Sequence, residues 1–160
     1  MDLRDYFISH NSADMAHAEA INTALRAAGY ETHFDGTDCE PGTNIPIWMN
    51  RALAGSRQVL ALCSPDYFKE KAVFSLMERM AALWGDPDGS LKRLVPVEIA
   101  GCEYEPLIAP LARIVVSGMT PDAAAAALVE KLAKGAEAKR REELRTAEAT
   151  PEVFHVPRGR

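Results

Sequence analysis

The apolar segments of this 160-residue chain are short and continuous rather than alternating. Tyr6–Phe7–Ile8, Val59–Leu60–Ala61–Leu62–Cys63 and Ile114–Val115–Val116 contain no polar residue. A strand with one wet face alternates apolar and polar positions. A continuous run implies burial on both faces, hence a parallel sheet covered by helices on each side. Helical patterns separate the runs. Met15, Ala18, Ile21 and Leu25 repeat at helical spacing within Ala13–Ala28, with Ser12 placed to cap the start and Gly29 to end it. Tyr30–Phe34 reads as a second strand and Asp35–Pro46 as a loop broken by Gly36, Pro41 and Gly42. Pro46 suits the first turn of a helix that runs to Ala54 and stops at Gly55. Gln58–Cys63 is the third strand, and Ser64–Pro65 opens a helix to about Trp84 that is irregular near Tyr67. Leu94–Ile99 is a fourth strand, which Pro96 predicts near an edge or a bulge. Ile114–Val116 is the fifth, and Thr120–Pro121 starts a last helix over Asp122–Ala133 or beyond. Strand and helix alternate five times, which predicts an α/β, flavodoxin-like, doubly wound parallel five-stranded sheet flanked by helices, in the order 2-1-3-4-5.

Composition narrows the partners. The net charge of −5 argues against nucleic acid, whose phosphates call for a basic face. No run approaches the roughly 18 apolar residues of a membrane span. Cys39, Cys63 and Cys102 are too few and too scattered for a disulfide framework or a zinc site, and Met1–Asp5 leads straight into a strand without a signal-peptide pattern. The expectation is a reducing, cytoplasmic setting, with no membrane, no nucleic acid, no metal and no bound cofactor. The first 134 residues are expected to form the domain. Residues 135–160 read as a charged helical extension or a linker, rich in Ala, Glu, Lys and Arg. The segment Pro151–Pro157 carries apolar residues with nothing near in sequence to bury them, and is expected to border a further C-terminal region.

Ligands of open α/β sheets bind outside the carboxyl ends of the strands. Here those ends are Ser9, His10, Asn11 and Ser12 after the first strand and Ser64 after the third. Neither G-x-G-x-x-G nor G-x-x-x-x-G-K-[ST] is present, so the common dinucleotide and phosphate-loop readings fail. A phospho-acceptor receiver would need acidic residues at the first tip and an aspartate at the third. A flavin site would want a Ser/Thr-rich phosphate loop after the first strand.

On the Lys71–Trp84 helix, Phe74, Met77, Ala81 and Trp84 share a face, and Glu78 borders it. Such a glutamate either flanks the stripe in solvent or faces the crevice at the strand tips. One carboxylate suffices to cleave NAD+, because nicotinamide leaves as a neutral molecule without a general acid, and the carboxylate stabilises the oxocarbenium charge that develops on the ribose. His10 either hydrogen-bonds a ribose or phosphate or caps the first helix. Trp48 either stacks on a base or packs against the sheet. Asp38 and Glu40 touch substrate, touch a neighbouring protomer, or sit in solvent.

The run Phe7–Ile8–Ser9–His10, the second-strand Asp35, the loop around Asp38 and Gly42, the stretch Val59–Tyr67 and the pair Phe74-x-x-x-Glu78 together resemble a Toll/interleukin-1 receptor (TIR) domain over residues 4–134. The resemblance is to NAD-cleaving, bacterial members. It implies an NAD+ glycohydrolase releasing nicotinamide and ADP-ribose or a cyclic variant, with NAD+ as substrate rather than cofactor. Glu78 matches the family's catalytic glutamate, Phe74 stands where the pocket aromatic is usually Trp, and His10 and Ser75 stand where Tyr and Cys are usual. Ser9, His10, Asp38, Trp48 and Phe74 are the expected substrate-binding residues. The resemblance also implies self-association through the 35–46 loop, driven by a fused C-terminal sensor. The alternative is a non-enzymatic TIR–TIR interaction module, a signalling adaptor.

Overall fold

A computed structural model of the chain describes residues 1–69, 79, 82 and 85–149. The expectations for Lys71–Trp84, Glu78 and Phe74 among them, and for Pro151–Pro157 lie outside the described residues, apart from Arg79 and Ala82, which are helical. The chain divides into two compact units, Met1–Val129 and Glu130–Arg160.

The first unit holds a five-stranded parallel sheet: β1 (Arg4–Ser9), β2 (Thr32–His33), β3 (Ser56–Cys63), β4 (Leu94–Glu98) and β5 (Ile114–Val115), in the order β2-β1-β3-β4-β5. This is the doubly wound order the alternation of elements predicts. In β3 every residue from Val59 to Cys63 is fully buried, as a strand covered on both faces must be. Successive side chains point to opposite faces. Phe7, Val59, Ala61 and Cys63 form one cluster with Ala52, Tyr67, Ala82 and Ile108.

Helix α1 (Met15–Ala27) buries Ala18, Ile21 and Leu25. A 3-10 turn over Ser12–Asp14 precedes it, and the cap is Asn11, whose side chain accepts from the Ala13 amide, rather than Ser12. Gly29, at φ +91°, ends α1: its amide bonds the Arg26 carbonyl and the Tyr30 amide bonds the Leu25 carbonyl, a Schellman closure. Between β2 and β3 lie one helical turn, α2 (Asp35–Asp38), and α3 (Ile45–Ala54). Asn44 caps α3 through the Ile47 amide at 3.2 Å, with Pro46 in the first turn.

Two further expectations, both about strands, change. The second strand is two residues long rather than five, because the Phe34 amide is taken by the Asp38 carboxylate at 3.0 Å instead of continuing the ladder. And β4 is an interior strand, not an edge. Pro96 is tolerated there because β5 pairs only with Val97 and Glu98, so the sheet has not yet reached its full width at Pro96.

Helix α4 (Pro121–Ala149) opens on Thr120, whose hydroxyl accepts from the Ala123 amide. Within the first unit it buries Ala124, Ala125 and Leu128. In the second unit the described residues are helical to Ala149 and exposed from Ala133 onward. They carry the ion pairs Glu130–Lys134 and Lys139–Glu143, each spaced i,i+4.

Candidate functional site

The carboxyl ends of β1 and β3 are stitched together by side chains. Ser9, the last residue of β1, is fully buried and its hydroxyl lies 2.7 Å from that of Tyr67, also fully buried. Ser64, following β3, accepts from the Tyr67 amide at 3.1 Å and donates to Asp14 at 2.5 Å. Asn11 donates to the Asp66 carbonyl at 3.1 Å. The loops after the two central strands thus form one unit at the point where the strand order reverses, the position at which open α/β sheets bind ligands.

His10 extends that unit toward β2. Its ring packs on Phe34 at 5.4 Å and its Nε2 lies 3.6 Å from Asp35 Oδ1. The start of the 35–46 loop is therefore held at the tip of β1.

Asp38 closes the same turn and is fully engaged. Each of its oxygens accepts two hydrogen bonds, Oδ1 from Arg26 and Thr37 and Oδ2 from Arg4 and the Phe34 amide. Arg4 opens β1 and Arg26 lies in the last turn of α1, so both belong to the end of the sheet opposite the strand tips. Burial alone would raise the Asp38 pKa, but the Phe34 amide, Arg26 and Thr37 outweigh it and hold the carboxyl below its ordinary 3.8. Trp48, half-buried in α3, packs against Phe7 and His33 with centroids 6.1 and 6.5 Å away. Ser9 and His10 are neighbours at the β1 tip, Asp38 has both oxygens taken by Arg4, Arg26, Thr37 and the Phe34 amide, and Phe74 and Glu78 lie outside the described residues.

A second polar group gathers at the tips of β3 and β4. Arg79, 2% exposed, pairs with Glu105 at 2.6 Å. Its guanidinium lies 5.1 Å from the ring centres of both Tyr67 and Phe68. Tyr104 donates to Glu98 at 2.8 Å, beneath the Arg113 guanidinium 3.7 Å from its ring centre. Burial raises the Tyr104 hydroxyl pKa, and the bond to Glu98 raises it further. Burial also pushes the Cys63 thiol up to about 12, so it stays protonated and behaves as a small apolar residue. An open cleft of about 640 Å³ lies beside this group, lined by Pro65, Phe68, Lys69, Cys102, Tyr104 and Glu105.

Sequence reasoning missed Tyr67, Asp14 and Arg79 as organising residues. Tyr67 entered only as an irregularity after Ser64–Pro65 and as the end of the Val59–Tyr67 stretch, with no role of its own, and no periodicity marks Arg79 as buried, because its partner Glu105 comes 26 residues later. Among the described residues no cluster of His, Cys, Asp and Glu is arranged to hold a metal ion. Nor is any described helix long and apolar enough to cross a membrane.

No curated protein matches the chain. Solved structures do. The TIR domain of the Toll-related receptor TRR-2 from the lower metazoan Hydra magnipapillata superposes with a TM-score of 0.58 at 18% identity, over 71% of this chain and 84% of that one, and so shares the fold. The metazoan TIR-STING receptor from C. gigas, solved in complex with 2',3'-cGAMP, gives 0.59 at 26% identity over 79% of this chain. A further structure of that receptor gives 0.59 at 25% identity over the same share. The chain spans about two fifths of that receptor's length, 39% and 40% in the two structures. The sequence profile of the TIR domain matches residues 7–133, which take in β1 from Phe7 onward, the other four strands and the joined tips of β1 and β3. With that profile laid over a parallel sheet in the order β2-β1-β3-β4-β5, the chain belongs to the TIR domain family, which includes both NAD-cleaving enzymes and signalling adaptors.

Proposed function

We propose that this chain is an NAD+ glycohydrolase whose catalytic carboxylate is Glu78 and whose activity appears on self-association. The observation that carries the reading is the joined pair of strand tips, where Ser9 and His10 stand at the sheet's point of reversal and Tyr67 and Asp35 tie them to the neighbouring loops. In the sequence Glu78 immediately precedes Arg79, which bonds the Tyr67 carbonyl.

In the reaction the N-glycosidic bond of NAD+ breaks with both electrons leaving on nicotinamide, which departs neutral. The Glu78 carboxylate stabilises the positive charge that develops on the ribose. Water adds to that carbon and loses a proton, giving ADP-ribose; attack by a group of the substrate itself gives a cyclic product. His10 serves the ribose and phosphates, the buried Ser9 supports the tip through its bond to Tyr67, Phe74 lines the nicotinamide side, and the partly exposed Trp48 offers a face to a base. Asp38 contributes by anchoring the 35–46 loop through Arg4 and Arg26.

TIR domains pair with themselves or with other TIR domains. The loop at 35–46 is the proposed contact, and a fused sensor in a cytoplasmic protein is the proposed trigger, since tethering raises effective concentration and fills weak interfaces. The C. gigas receptor, in which the matched part is 39% of the chain, is a precedent for additional sequence beside the domain.

The test is nicotinamide release from NAD+ by the chain, free and artificially clustered. Clustered wild type is expected to turn over, and Glu78→Ala to lose turnover by at least about a hundredfold while keeping its circular dichroism spectrum. No release from clustered wild type, together with measurable TIR–TIR binding, would establish the adaptor instead.

A further inference from the structure

Arg79 is a charged side chain in a place where charge brings little stability. Its Nη2 meets Glu105 at 2.6 Å, its Nη1 reaches the Tyr67 carbonyl at 3.4 Å, and the guanidinium packs against the Tyr67 and Phe68 rings. Its Nε is buried without a hydrogen-bond partner among the described residues. Replacing a buried ion pair by apolar residues of similar volume is often neutral or stabilising, so stability gives little reason to keep this one. What the guanidinium supplies is direction: a planar fork with fixed donors admits one placement of the groups around it.

The groups around it span the site. Tyr67 is bonded through its hydroxyl to Ser9 at the β1 tip, and through its amide to Ser64, which holds Asp14 ahead of α1. Glu105 lies in the segment between β4 and β5, and Phe68 packs on Tyr104 in that same segment with centroids 5.5 Å apart. Arg79 therefore joins its helix to the turn after β3 and to the segment after β4. It also immediately follows Glu78.

We propose that Arg79 is a positioning residue, holding the chain at Glu78 in register with the β1 tip through its contacts to Tyr67 and Glu105. The inference rests on the glycohydrolase reading. Arg79 does not touch substrate; it acts through its neighbour.

The experiment is steady-state NAD+ cleavage by clustered full-length chain carrying Arg79→Met, Arg79→Lys or Glu105→Gln, at a temperature where thermal melts show each variant fully folded. Arg79→Met keeps the apolar stem and is expected to lower kcat by about tenfold or more while KM moves less than about twofold, because displacement of a reacting group by a fraction of an ångström is read in the chemical step. Arg79→Lys keeps the charge but not the fork, and Glu105→Gln keeps an acceptor but not the charge; both are expected to fall between Arg79→Met and wild type. If Arg79→Met does not fold, these two decide the matter. Folded variants whose melting temperatures drop but whose kcat stays within about twofold of wild type would overturn the proposal and leave Arg79 a structural residue. A clustered wild type that releases no nicotinamide removes the glycohydrolase reading itself, and this inference with it.

Discussion

Single residues at this site divide by how their polar atoms are used. Ser9 and Tyr67 bury two hydroxyls against each other, a low-dielectric arrangement that holds the ends of β1 and β3 at one spacing. Asp38, named from the sequence as a possible substrate contact, has both oxygens engaged by Arg4, Arg26, Thr37 and the Phe34 amide. Its lowered pKa carries a sign that can be checked. A carboxyl whose folded pKa lies below its unfolded value stabilises the fold fully above the unfolded value, and loses that contribution as pH falls through the folded one. The stability difference between wild type and Asp38→Asn, read from urea midpoints, is therefore expected to be largest near neutral pH and to shrink as pH falls below about 3.8. A difference that grows on acidification would show that the carboxylate is not held by these partners. The two arginines were not legible locally: Arg4 lies 34 residues before Asp38 and Arg26 lies 12 before it.

Among the elements, the short turn α2 decides how the 35–46 loop leaves the sheet. Gly36 is tightly placed there, since a Cβ at that position would meet the Phe34 ring at 2.6 Å. Phe34 is fully buried and packs on His10, so it has no free direction in which to yield. Gly36→Ala is expected to destabilise the fold by about 1–3 kcal/mol, the usual cost of overpacking, visible as a lower urea midpoint at unchanged slope. A midpoint equal to wild type would mean that the turn moves without cost and that the Phe34–His10 contact does not fix it. From sequence, Gly36 reads only as a breaker inside a loop. Its role comes from an aromatic ring two residues away whose orientation is set by the β1 tip. The same limit applies to β2, which the sequence reads as five residues over Tyr30–Phe34 while a carboxylate from the next turn ends it at two.

Over the whole molecule, the two units differ in what holds them. Met1–Val129 is organised around a sheet buried on both faces. The helical residues from Ala133 to Ala149 are exposed and depend on helix propensity and spaced ion pairs such as Glu130–Lys134, each worth about 0.2–0.5 kcal/mol. A chain ending at Lys134 is accordingly expected to unfold in one cooperative transition within about 4 °C of the full-length midpoint, with the loss confined to the far-ultraviolet helical signal. A larger fall would reveal that the charged helix contributes to the fold. The sequence by itself determined the class of the domain, the parallel sheet and its strand order, because continuous apolar runs alternating with helical patterns leave few ways to bury both faces of every strand. It also marked the strand tips at Ser9 and Ser64, since polar residues ending a buried run have to lie at its mouth. Only the tertiary structure decided which side chains meet there. The Ser9–Tyr67 and Arg79–Glu105 contacts join residues 58 and 26 positions apart, and such pairings are set by how the loops fold back over the sheet, which local spacing does not encode.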